Sequence, residues 1–134
     1  MEPQEIVAVL NTSPDTVELL RTSLEQAGFS VVTGMIHDIR DGRLDLDAFV
    51  RQHDPAVIVW DIAVPYERQW QFFKQIKESQ TCGRCRFVLT TTNVREVTRV
   101  AGPQQNLHEI VGKPYDLAQV VRAVKETARE RPTR

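Results

Sequence analysis

Five short apolar runs alternate along the chain with segments of helical periodicity, and that alternation leaves few folds open. The runs are IVAVL (Ile6–Leu10), FSVVT (Phe29–Thr33), AVIVW (Ala56–Trp60), CRFVLT (Cys85–Thr90) and LHEIV (Leu107–Val111). Each is too short for a helix, and the first and third lack the polar–apolar alternation of a half-exposed strand, so they read as strands buried on both faces. Between them, apolar residues recur at helical spacing: Val17, Leu20, Leu24 and Ala27; Leu46, Phe49 and Val50; Trp70, Phe73 and Ile76; Val94, Val97 and Ala101; Leu117, Val120, Val121 and Val124. Repeated β-α units of this length predict an α/β fold, a doubly wound five-stranded parallel sheet with helices on both faces and right-handed crossovers.

Local signals set the expected boundaries. Ser13 caps the first helix with Pro14 at its first position, and Gly28 stops it. The polar, glycine-containing stretch Gly34–Leu44 reads as a long loop. Helices are expected near Leu46–His53 and over Glu67–Ser79. Asn93 and Asp116 cap the last two, and Gly102 ends the first of these. With 134 residues the chain has room for one domain, 1–134, with a core over about 5–127 and a short basic tail, ARERPTR.

Composition narrows the function classes. The formal net charge is −1 and the Lys and Arg residues are scattered, which argues against direct nucleic-acid binding. No apolar run approaches the length of a membrane span, and MEPQEIVAVL has no basic leader region, so the expected setting is the reducing cytoplasm without a membrane association.

Doubly wound sheets bind ligands at the carboxyl ends of their strands, beside the point where strand order reverses. The first strand delivers Asn11, Thr12 and Ser13 there. The third delivers Asp61, the fourth Thr90, Thr91 and Thr92, and the fifth Gly112, Lys113 and Pro114. A carboxylate, a hydroxyl and an ammonium thus converge from three strands.

From about Ile6 to Lys125 the chain resembles the receiver domain of bacterial two-component response regulators. The resemblance is carried by SPDTVELLRTSLEQAGFSVVTG, DPAVIVWDIAVP, FVLTT and VGKPYD. It implies a flavodoxin-like sheet of order 2-1-3-4-5 and a signalling role in a phosphorelay rather than turnover catalysis. It further implies that Asp61 accepts a phosphoryl group from a histidine kinase or phosphotransfer protein. Thr90 and Lys113 would contact that group, and the peptide bond before Pro114 would be cis. Protein partners would dock on the face of the fourth predicted helix, the fifth strand and the fifth helix; a homodimer stays open.

Two positions depart from the family pattern. Its first strand normally ends in an acidic pair that holds Mg²⁺, where this chain has Asn11 and Thr12. Mg²⁺ favours six oxygens, commonly including carboxylates. Asn11, Thr12, Asp61 and the Ala63 carbonyl would give only a weakened or absent site. One charge pair at ~4 Å is worth roughly 4 kcal/mol at an effective dielectric of about 20, so two missing carboxylates matter. Trp60 adjoins Asp61 and is expected to report ion entry by fluorescence. The second departure is Ile110, which replaces an aromatic switch residue.

Other readings remain. Asp61 could cap the next turn or form a fixed ion pair with Lys113, Thr90 could be a satisfied core-edge hydroxyl, and Asn11 and Thr12 could be turn and cap residues. The domain would then be a phosphorylation-independent pseudo-receiver, a protein-interaction module. Cys82 and Cys85 in CGRC could instead make a thiol–disulfide redox protein, although the motif precedes a strand rather than opening a helix. A zinc half-site would need further ligands, and His37, His53 and His108 lie on separate segments.

Overall fold

In the computed structural model, which describes residues 5–102, 110–112 and 117–129, strands and helices alternate except that two helices separate the second strand from the third. The elements are β1 (Ile6–Asn11), α1 (Pro14–Gln26), β2 (Ser30–Met35), α2 (Ile36–Arg40), α3 (Leu46–His53), β3 (Val57–Ile62), α4 (Tyr66–Lys77), β4 (Phe87–Thr91), α5 (Val94–Ala101), β5 (Ile110–Gly112) and α6 (Leu117–Arg129). All strand pairs are parallel, and the sheet order is β2-β1-β3-β4-β5. The expected doubly wound sheet is therefore present, with its order reversing between β1 and β3.

Period-two alternation along the central strands divides the core into two layers. Val7, Val9, Val57, Val59 and Val88 point to one face, where α1 supplies Val17, Leu20 and Leu24 and α6 supplies Val120, Ala123 and Val124. Ala8, Leu10, Ile58, Trp60, Ile62, Phe87 and Leu89 point to the other, where α2 to α5 supply Ile36, Leu46, Val50, Trp70, Phe73 and Val97. Phe73 is fully buried. Its ring centroid lies 5.0 Å from that of Phe87, edge to face, 5.4 Å from Trp70 and 5.8 Å from Trp60.

The helix ends follow local chemistry. Ser13 caps α1, its hydroxyl accepting from Thr16 N, with Pro14 opening the helix. Asp45 caps α3 through Ala48 N at 3.2 Å, and Asn93 caps α5 through Glu96 N at 3.1 Å. Gly28 follows α1 at φ 103°, a conformation that favours glycine.

Three expectations are corrected. β2 runs on through Gly34 to Met35, because Gly34 sits in the sheet against Leu10 and Leu44 rather than opening a loop. The rest of the expected loop contains α2, a short helix anchored by Ile36. Arg43 ties back to it, its guanidinium donating to Asp38 at 2.9 Å and its backbone N–H to the Asp38 carbonyl at 2.8 Å. One buried residue in five leaves no periodicity to read. Val94, expected to face inward, is 39% exposed, and Val97 alone is buried in α5. The expected start of the fifth strand, at Leu107, lies outside the described residues.

Candidate functional site

The residues at the carboxyl edge are sorted by the same parity. Val9 pairs in register with Val59, and Val59 with Val88. Two residues further along each strand come Asn11, Asp61 and Thr90, so all three stand side by side on the α1/α6 face. β3 continues one residue past Asp61 to Ile62, which places Asp61 inside the strand and not at its last position. All three side chains are buried, each at most 1% exposed. Asp61 is the one buried carboxylate among the described residues.

The Thr90 hydroxyl donates to Asp61 Oδ1 at 2.7 Å. A buried hydrogen bond to a charged acceptor contributes about 1.5–3 kcal/mol, and its loss would leave part of a carboxylate desolvated. Asn11 is held differently. Its Oδ1 accepts from Thr12 N at 2.7 Å and from Ser13 N at 3.0 Å, an Asx turn that leads the chain from β1 into the Ser13 cap of α1. With the oxygen so engaged, Asn11 Nδ2 faces the interior and has no hydrogen-bond partner among the described residues. Buried amide donors are rarely left so, which makes this atom the site's open hydrogen-bonding capacity.

The rim comes from the loops after β3 and β4. Thr91 Oγ1 accepts from Asn93 N at 3.2 Å, joining β4 to the cap of α5. Tyr66, the first residue of α4, shares a 2.7 Å hydrogen bond between its hydroxyl and that of Thr92. This link escapes sequence reading, since a helix-start tyrosine and a loop threonine separated by many residues carry no pattern.

Of the residues expected at the site, the structure brings together Asn11, Asp61 and Thr90. Thr12 is exposed and Ala63 half-buried at the edge. Lys113 and Pro114 lie outside the described residues. The donor set does not fit Mg²⁺. The Asn11 oxygen is taken by two backbone N–H groups, and the atom it leaves toward the interior is an N–H donor that a cation would repel. Among the described residues Asp61 supplies the only buried carboxylate, with the Thr90 hydroxyl already on one oxygen. Among the described residues, no group of three or more His, Cys, Asp or Glu could hold a metal ion. Trp60 points to the opposite face of the sheet from Asp61, so it is not the direct reporter of ion entry that its sequence position suggests.

Solved structures share this architecture along nearly the whole chain. The chemotaxis response regulator CheY4 of Vibrio cholerae superposes with a TM-score of 0.69 at 18% identity, covering 93% of this chain and 99% of that one. A response regulator from Thermotoga maritima gives 0.73 at 16% identity, over 96% and 100% of the two chains. A response regulator receiver protein from Pseudomonas putida gives 0.71 at 19%, over 94% and 99%. The fold is that of a response-regulator receiver domain. Among curated proteins, Protein PilH of Pseudomonas aeruginosa is 24% identical over 110 residues, 82% of this chain and 86% of its own length. An uncharacterized 14.6 kDa protein of Leptolyngbya boryana is 23% identical over 120 residues, 90% of this chain and 87% of that one. No protein-family model matches the chain. Within this receiver fold no helix of the described residues is long and apolar enough to cross a membrane.

Proposed function

We propose that the chain is a receiver-type signalling module whose Asp61 carboxylate accepts a phosphoryl group, from a histidine kinase or phosphotransfer protein, with little assistance from Mg²⁺. The observation that carries this reading is the buried 2.7 Å hydrogen bond from Thr90 to Asp61. It holds a nucleophilic oxygen and a hydroxyl donor in one pocket at the edge where doubly wound folds place their chemistry. In the transfer, an Asp61 oxygen attacks phosphorus as the bond to the donor's histidine nitrogen breaks, giving an acyl phosphate. The Thr90 hydroxyl then leaves the carboxylate and donates to a phosphoryl oxygen. Such a step demands in-line positioning and charge neutralisation more than covalent participation by other groups. By the family resemblance, Lys113 supplies the neutralising charge. The output is protein binding at the surface of α5, β5 and α6, where α5 keeps one buried anchor, Val97, and leaves Val94 open to solvent.

A second reading has its own support. The Asn11 amide, where the family resemblance expects an acidic metal ligand, fixes the turn into α1, as suits a pseudo-receiver whose partner contacts ignore phosphorylation. Incubation with acetyl phosphate, with and without Mg²⁺, followed by intact-protein mass spectrometry, separates the two. An acid-stable, hydroxylamine-labile phosphoryl adduct present in the native chain and missing in Asp61→Asn is the expected result. Identical masses for the native chain and the variant would leave the pseudo-receiver reading.

A further inference from the structure

The turn between α4 and β4 lies at the amino edge of the sheet, opposite Asp61, and carries the C-x-x-C motif. The Cys85 backbone N–H donates to the Cys82 carbonyl at 3.1 Å, so residues 82–85 form a β-turn. A β-turn brings its first and fourth Cα atoms within about 7 Å, and disulfides span Cα separations of roughly 4.4–6.8 Å. The Cys85 thiol also hydrogen-bonds the Thr81 carbonyl, 3.9 Å away. The turn is already braced for this geometry. Ser79 Oγ accepts from Cys82 N at 3.1 Å and donates to the Ile76 carbonyl at 2.8 Å. Gly83 N donates to the Ser79 carbonyl at 2.8 Å, and a Cβ on Gly83 would meet that same oxygen at 2.8 Å, so only glycine lets the turn close this tightly.

The two thiols differ in access. Cys82 is fully buried in the aromatic core layer, whereas Cys85 is half-buried. A cavity of about 500 Å³ beside them is lined by Arg51, Gln80, Thr81 and Arg84; Arg84 belongs to the cysteine turn itself and Thr81 directly precedes it. Two guanidinium groups suit a ligand bearing carboxylates.

We propose that Cys82 and Cys85 are a reversible redox site, closing to an intramolecular disulfide by exchange with an anionic low-molecular-weight disulfide that docks at Arg51 and Arg84. Cys82 first releases its proton to solvent; Cys85 then attacks one sulfur of the incoming disulfide as its own proton passes to the Cys82 thiolate, giving a mixed disulfide and one free thiolate. Cys82 then attacks Cys85 Sγ, its proton going to the thiolate that departs, while the first thiolate takes up the proton released to solvent. The balance is protein dithiol plus RSSR giving protein disulfide plus two RSH. The Cys85 hydrogen bond, aided by Ser79, holds the Cys82 thiol below its ordinary pKa against the opposing effects of burial and Asp47, which equips Cys82 to take part as the internal proton acceptor.

The full chain is equilibrated anaerobically in glutathione/glutathione disulfide mixtures, quenched with an alkylating agent and weighed by mass spectrometry, with peptide mapping of the native protein. Both alkylation sites should disappear together in one transition, and mapping should recover a Cys82–Cys85 link. Cys82→Ser should accumulate a mixed disulfide on Cys85, and Cys85→Ser should stay unmodified. Retention of both thiols in the most oxidising mixture, or a lasting single-glutathione adduct on the native chain, would overturn the proposal. Glutathione disulfide should also react roughly fivefold faster than neutral hydroxyethyl disulfide, after normalising to their rates with cysteine, and Arg84→Ala should bring the ratio toward one. A normalised ratio near one in the native chain would overturn the anionic docking.

Discussion

On the face covered by α1 and α6, the central strands present valines and then, at the carboxyl edge, Asn11, Asp61 and Thr90; on the face covered by α2 to α5 they present mostly large aliphatic and aromatic residues. The first face is built from small β-branched side chains that leave room at its end for polar groups joined by short hydrogen bonds. The second is filled by interlocking rings around Phe73, and Trp60 Nε1, buried among them, has no partner among the described residues. The contrast suggests a division of labour within one sheet. The aromatic layer supplies stability, and the valine layer can tolerate a buried carboxylate because its neighbours are small and its edge is polar.

The sharpest way to break that contrast is truncation on each face. Phe73→Ala should cost about 3–5 kcal/mol, because the fully buried ring contacts three other aromatic rings of the same layer and no neighbour can collapse into the space. Val59→Ala, on the other face, should cost about 2 kcal/mol. Urea denaturation of both variants checks the difference. Equal midpoints would mean that the two layers share the load evenly.

Thr90 tests the polar end of the valine face. Thr90→Ala removes the donor to a buried carboxylate and should destabilise by about 2 kcal/mol. Thr90→Ser keeps the hydroxyl, loses one buried methyl and should cost about 1 kcal/mol or less. If thermal melts find the two variants equally affected, the hydrogen bond contributes nothing and the site is held by packing alone.

Asn11→Asp sharpens the comparison by adding charge. The new carboxylate can still accept from Thr12 N and Ser13 N, so the turn survives, but an oxygen now replaces the buried Nδ2. Two carboxylates in one buried pocket repel, and a loss of about 1–2 kcal/mol is expected without divalent ions. Millimolar Mg²⁺ should restore much of it in the variant and leave the native chain unmoved, as read by the shift in melting temperature. A native chain stabilised by Mg²⁺ as strongly as the variant would contradict the misfit between Asn11 and a cation.

How much of this was legible in the sequence differs between elements for physical reasons. The central strands were, because apolar runs buried on both faces cannot be hidden by composition. So were the caps at Ser13 and Asn93, whose chemistry is local. The convergence of Asn11, Asp61 and Thr90 followed from strand parity once the strands were placed. The engagement of the Asn11 oxygen, which decides the metal question, depends on backbone geometry two residues on, and residue type alone leaves oxygen and nitrogen interchangeable. The Tyr66–Thr92 link is a tertiary fact of the same kind. Helix α2 stayed hidden because a single buried residue, Ile36, anchors it.

Gly34 is the smallest and most specific test, since it looked like the start of a loop and lies inside β2. A Cβ there would sit 2.9 Å from Leu10 Cδ2 and equally close to Leu44 Cδ2. Both atoms are ends of flexible side chains, but Leu10 is fully buried in the aromatic layer and can yield only by moving its neighbours. Gly34→Ala relieves some backbone freedom of the unfolded chain, which favours the variant by about 0.4–1 kcal/mol, while overpacking costs about 1–3 kcal/mol. The net expectation is a loss of about 1 kcal/mol in urea denaturation, recovered in the double variant Gly34→Ala/Leu44→Ala if the Leu44 contact is the one that resists. A single variant more stable than the native chain would show that β2 packs loosely at this point and that the glycine answers no steric demand.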